Sequence, residues 1–362
     1  MLGTKKQRII AGGTAAFLLI GGVALAMTAG GDDPPPPTTT TTTTTVPETT
    51  TTTAPPPPVA PLTGLPGNYG TRLDRTALVV KIDNGEPKAR PQYGINQADV
   101  VYEERVEGSV TRLLAIFHST DSVPAGPVRS ARTSDIAIVT PLNHPYFAWS
   151  GANPTFARRI RAAAVQDVGY DALSSEYYRE QSRSAPSNLM LKSTATIMAL
   201  PNEGSAPPPP LFQYRATGQP LAHLEPAAGA RVVFGQSGGS APTEWRWNGN
   251  GWARSQKGTP HVDGAGVQVA PANVIIQFVQ YKPSDVSDQF GVPIPEAQLV
   301  GEGDVWVLTG GGTVPPGLVQ GHWKKTSLEA VTTYTDADGN PILLRPGRTW
   351  VVLPSPGGAT RF

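Results

Sequence analysis

Two arginines three residues apart, Arg129 and Arg132, stand in the stretch AGPVRSARTSD, residues 125–135. Both fall where a helix is expected to begin. Free backbone N–H groups and the positive dipole end make such a place favourable for an anion. Guanidinium groups add a bidentate grip on carboxylate or phosphate. The same arginines have internal candidates, because Glu103, Glu104 and Glu107 lie on an expected strand of the same region. The pair therefore faces either an external anion or the chain's own carboxylates.

Other reactive patterns are weaker. GQSGG, residues 235–239, matches the G-x-S-x-G nucleophile elbow. That motif needs a helix after the serine, and the SAPTEW that follows leads into a strand, so Ser237 is read as a loop residue. Five histidines are scattered, none at H-E-x-x-H spacing. His261 and Asp263, in HVD, are two apart and would share a strand face, but they fall short of a metal's ligand set. GAG near Gly264 and GEGD near Gly301 lack the strand–helix frame of a dinucleotide fingerprint. Neither metal nor cofactor is expected. Trp245, Trp247 and Trp252 flank an Asn248-Gly249 turn signal and are read as core rather than as a sugar-stacking platform. Asp83, Glu103 and Glu107 offer paired carboxylates for acid and base roles, without a recognisable nucleophile beside them.

These residues need a frame. Apolar runs at residues 77–84, 98–108 and 110–119 read as strands. Residues 130–142 and 153–168 read as helices, the second with Asn153 as N-cap and Pro154 at the first helical position. After a proline-rich stretch the pattern turns to short β-branched and aromatic runs split by Gly, Asn and Asp. The fold class expected is α+β. A mixed α/β N-terminal domain covers residues 62–203, a linker 204–211, and a smaller, mostly β C-terminal domain 212–356.

Composition bounds the partners. Twenty-nine basic residues balance 28 acidic ones for a net charge of +1, which gives no reason to expect nucleic acid. The sequence has no cysteine, which removes disulfides, thiolate chemistry and a lipidated cysteine anchor. KKQR precedes an uncharged apolar run at residues 9–29, with Asp32 and Asp33 beyond it. About 20 such residues span a bilayer core, and the flanking charges put residues 1–8 inside and the bulk of the chain outside. A single-pass cell-membrane protein is the expectation, the alternative being a secreted one cut after the ALA of residues 24–26. Residues 30–61, mostly Thr and Pro, read as a disordered stalk.

The segments VVKIDN, ARPQYGINQADVVYEERVEGSVTR, GPVRSAR, SAPSNL, GTPHVD, NVIIQF and DADGNPILLRPGRTWVVLP together resemble the YerB-like family. The resemblance implies a two-domain extracytoplasmic bacterial protein of unsettled function, often a lipoprotein, and covers the whole folded part. It implies polar site positions at Lys81, Asp83, Asn84, Arg90, Gln92, Glu103, Glu107, Arg112, Arg129 and Arg132, with His261 and Asp263 in the second domain. The family pattern SAPHNL carries histidine where this chain has Ser187. A second family histidine, in the segment that here reads AWSGANP, is also missing. The reading that results is an envelope protein whose first domain binds a polar or anionic ligand, peptidoglycan-derived or carried on an envelope protein. The alternatives are a cell-wall hydrolase using the acidic residues, and a protein–protein scaffold.

Overall fold

A computed structural model of the chain describes residues 58–67, 72–85, 88–235, 242–288 and 290–362. The apolar run at 9–29, most of the Thr/Pro segment and Ser237 lie outside the described residues. Among those residues no helix is long and apolar enough to cross a membrane.

The first half supplies β1 (Leu78–Asp83), β2 (Val100–Arg105) and β3 (Thr111–Phe117). Short α1 (Ser134–Val139), β4 (Tyr146–Ala148), α2 (Pro154–Arg161) and β5 (Gln166–Asp167) follow. β3 pairs antiparallel with β1 on one side and β2 on the other, so β1 and β2 point the same way. β4 extends the sheet in parallel beside β1. β1 is buried at every residue, as a β-branched run covered on both faces should be.

The sheet does not stop at the first half. Thr349–Leu353 lies parallel to β2, Thr349 against Val100 through Leu353 against Glu104. Beyond it run Asn273–Gln277, Gly301–Gly311, Val314–Lys325 and Thr333–Asp336, giving one eleven-stranded mixed sheet. A second, five-stranded sheet includes Gly229–Val232, Thr243–Trp247 and Trp252–Gln256. Its Trp245 and Trp252 pack with Val80, Val101 and Leu113 on one face of the large sheet. On the other face, Val79, Val100 and Leu114 pack with Ile138 of α1 and Ile160 of α2. Trp245 and Trp252 are fully buried, in keeping with their reading as core.

The α+β expectation, with a mixed α/β N-terminal domain, is corrected here: the molecule is mostly β. The three α-helices among the described residues have six, eight and five residues. α2 shows why. Its start is as expected, with Asn153 Oδ1 accepting from Thr155 N at 2.9 Å and Pro154 at the first helical position. It stops at Arg161 rather than Val168, because Gln166–Asp167 pairs with β4 and Val165 and Val168 turn into the core. Tertiary pairing overrides the helix propensity of the alanines at 162–164. Cover on one face of the sheet comes from a second sheet, which local periodicity does not announce.

Candidate functional site

The polar residues gather at one end of the large sheet, where β1 and β2 finish and β3 begins. Strand alternation sorts them onto two faces. Glu103, Asn84 and Thr111 face the small sheet. Lys81, Asp83, Glu104 and Arg112 face α1 and the segment before it. Glu107 opens a one-turn helix, Glu107–Ser109, that joins β2 to β3, and Gly108 takes the tight turn at φ +69°.

On the first face, Glu103 receives Arg254 Nη2 at 2.8 and 3.0 Å on its two oxygens. Thr111 Oγ1 donates to it at 2.9 Å and Asn84 Nδ2 at 3.2 Å. Asn84 also donates to Thr111 at 2.6 Å, and its Oδ1 accepts from Arg90 at 2.8 Å and Gln92 at 3.0 Å. Arg90 reaches on to Gln256. Arg254 Nη1 lies 2.8 Å from His261 Nδ1, and His261 Nε2 lies 2.8 Å from Gln92 Oε1. Arginine can only donate, so Nδ1 accepts and the proton sits on Nε2. Burial, then the charges of Arg254 and Arg90, hold this imidazole well below its ordinary pKa. Trp245 and Trp350 stack against Arg254 with centroids at 5.6 and 5.3 Å. Both Glu103 oxygens are occupied in this cluster, although Arg254 Nε is buried without a hydrogen-bond partner.

The second face is different. Residues 127–129 continue beside β1 where β4 ends, with Asp83 N donating to Pro127 O and Arg129 N to Lys81 O. That pairing sets Arg129 over Asp83, its Nε 3.1 Å from Oδ2 but without hydrogen-bond geometry. Arg132 grips Glu107 with Nε, at 2.8 Å, and with Nη2, and gives Nη1 to Ala131 O at 2.7 Å. Arg112 sits opposite Asp83 on β1 and Glu104 on β2. Its Nε and Nη1 lie 3.9 Å from Asp83 and 3.7 Å from Glu107, and neither makes a hydrogen bond. Arg112 is 4% exposed. Burial, then the charges of Arg132 and Arg129, lower its pKa to about 10. Burial opposes the charge of Glu107, but the hydrogen bonds and charges of Arg132 and Arg112 outweigh it and hold that carboxyl below its usual value. Three guanidinium groups thus face Asp83 and Glu107, and with Lys81, Glu104 and Asp135 this face holds four cations and four carboxylates. Ser187 donates to Asp83 Oδ2 at 2.7 Å.

The structure therefore brings nearly all the expected residues to one end of the sheet, on two faces. Asp263 stands apart. Its Oδ1 accepts from Ala265 N and Val267 N and its Oδ2 from Asn96, so its side chain closes a turn, and only its backbone, bridged to Gln92, meets the His261 cluster. Arg254, Asp135 and Thr111 are participants that sequence reasoning missed. Asp135 lay in the very stretch that raised the question, three residues after Arg132. His223, Asp336 and Asp338 also converge within 4.8 Å, but Asp336 is spent on the N–H groups of Asp338 and Asn340 in a turn.

Comparison with known proteins now bears on this arrangement. Residues 62–205 match the N-terminal domain, and residues 230–351 the C-terminal domain, of the protein of unknown function DUF3048. The chain belongs to this YerB-like family. A relative in Bacillus subtilis (strain 168), named "Putative lipoprotein YerB", is 28% identical over 303 residues, covering 81% of this chain and 85% of the relative. The crystal structure of the Bacillus subtilis YerB protein matches with a TM-score of 0.69 and 24% identity, over 84% of this chain and 99% of that one. That likeness establishes the fold. The two DUF3048 domains contribute strands to a single sheet, and the Glu103–Arg254 pair joins one domain's span to the other's.

Proposed function

We propose that this DUF3048 protein is anchored in the cell membrane, faces outward, and uses Arg112, Arg129 and Arg132 to hold a carboxylate-bearing ligand of the envelope, such as a peptidoglycan peptide or an envelope protein. The observation that carries the reading is Arg112, buried with its Nε and Nη1 donors unfilled beside Arg129 and Arg132. Buried donors without partners are costly, and an incoming carboxylate relieves that cost. Arg129 and Glu107, each with 23% of the side chain exposed, form the open edge through which it would enter.

The outward location draws on the name of the Bacillus subtilis relative, a lipoprotein. This sequence has no cysteine to carry a lipid, and the apolar run at residues 9–29 serves as the anchor instead.

Hydrolysis by Asp83, Glu103 or Glu107 has less support. A general acid must hold a proton, and the carboxyls of Glu103 and Glu107 are engaged by arginines. A pure scaffold would have its arginines fully engaged by internal carboxylates, and Arg132 fits that description while Arg112 does not. Retention of the protein on purified cell wall, with and without Arg129, tests the reading.

A further inference from the structure

Lys81 is completely buried between two carboxylates. Its Nζ lies 2.5 Å from Glu104 Oε1 and 2.6 Å from Asp135 Oδ1, and none of the three side chains has any exposed surface. They come from β1, β2 and the first turn of α1, on the face whose other residues, among them Val79, Tyr102 and Leu114, form the apolar core. Two acids and one base leave the triad one charge out of balance, an expensive arrangement so far from water. Glu104 Oε2 has no hydrogen-bond partner among the described residues. Asp135 Oδ2, by contrast, receives Arg132 N at 2.8 Å.

An amine held against a carboxyl group, a second carboxyl within reach, a fixed N–H on the far oxygen and complete burial are the ingredients of amide condensation. We propose that Lys81 and Asp135 become joined by an isopeptide bond as the chain folds, with Glu104 as the proton shuttle. One proton of the Lys81 ammonium passes to Asp135 Oδ1, giving a neutral amine and a carboxylic acid. Nζ attacks Cγ, and Glu104 takes a second proton from Nζ as the N–C bond forms. Glu104 then delivers that proton to Oδ1, the Cγ–Oδ1 bond breaks, and Oδ1 leaves as water with both protons. The third proton stays on the amide nitrogen, Oδ2 becomes the amide oxygen, and Glu104 ends as it began.

Each residue fits its role. The Arg132 N–H stabilises charge on Oδ2 in the tetrahedral intermediate. Burial, opposed by Lys81 and reinforced by Asp135, raises the Glu104 carboxyl to about 7, where it can both accept and return a proton at neutral pH. Fixed contact replaces a bimolecular encounter, and the dry site keeps water from reversing the reaction. The bond would tie β1 to α1 across 54 residues of chain. Such a cross-link stabilises by restricting the unfolded chain, as a disulfide does, in a protein that has no cysteine.

Proteolysis of the full chain followed by tandem mass spectrometry tests the proposal. The expected product is a branched peptide joining the segments of Lys81 and Asp135, lighter than their sum by one water, with no tryptic cut after Lys81. Glu104→Gln should give the two linear peptides. Asp135→Asn should give the same branched peptide as the native chain, because the bond then forms with loss of ammonia. Only linear peptides from the native chain, or a Lys81–Glu104 link, overturns the proposal. A branched peptide from Glu104→Gln overturns the shuttle.

Discussion

Arg254 and Glu103 are 151 residues apart in the chain, yet Arg254 Nη2 touches both oxygens of the Glu103 carboxylate, at 2.8 and 3.0 Å, with neither side chain exposed. The pair crosses from the small sheet to the end of β2. It is a fully buried charged tie between the two DUF3048 spans. Breaking a buried pair from one side strands the other charge, which costs about 3–5 kcal/mol. Arg254→Ala should therefore lower the unfolding free energy by about that much in urea titration. Glu103→Gln combined with Arg254→Met should cost clearly less than the two single changes summed. A loss of under about 1 kcal/mol for Arg254→Ala, the size of an exposed pair, would show that water reaches the site.

His261 predicts an acid limb. Its folded pKa is depressed well below the ordinary 6.5, so the unfolded chain binds the extra proton first. Its contribution to stability is complete above 6.5 and is lost as the pH falls from 6.5 towards the depressed folded value. His261→Gln removes the titrating group while Gln Oε1 can still accept from Arg254. The difference in stability between native and variant chains, measured from pH 7.5 to 5, should shrink as the pH falls. A difference that stays constant over that range contradicts a buried neutral histidine.

Much of the frame was legible from local pattern. β1, β2 and β3 lie within the apolar runs read as strands, and Asn153–Pro154 opens α2 as such pairs do. The Asn248-Gly249 turn is real, with Asn248 Oδ1 accepting from the N–H groups of Asn250 and Gly251. What was not legible is non-local. Nothing in residues 349–353 announces that they pair with residues 100–104, and that pairing makes one sheet of both halves. The site residues followed the same rule. Glu103 and Glu104 are neighbours in sequence, but strand alternation sends them to opposite faces and to unrelated partners. Both arginines of the opening stretch face internal carboxylates, Arg132 with Glu107 and Arg129 with Asp83, although Arg129 Nε lacks hydrogen-bond geometry.

The anchor reading makes a separate prediction. The full chain should stay in the membrane fraction through salt and alkaline washes, because burying a run of about 20 apolar residues outweighs any surface attraction. Intact-mass measurement on protein from its native envelope decides the alternative. A mature chain that begins at Met27 would mean signal cleavage and a secreted protein.

The central claim is the anion site, and retention on purified cell wall tests it most directly. Three forms of the full chain are compared: native, Arg129→Gln and Glu107→Gln, each shown to be folded by circular dichroism. A charged hydrogen bond is worth about 1.5–3 kcal/mol, so Arg129→Gln should weaken binding by roughly tenfold to a hundredfold. Glu107→Gln removes a competing carboxylate from Arg132 and should tighten binding, whereas a hydrolase relying on Glu107 would lose its activity. Added free carboxylate-bearing peptide should release the native protein. Equal retention of all three folded forms, unchanged by the peptide, would contradict the account.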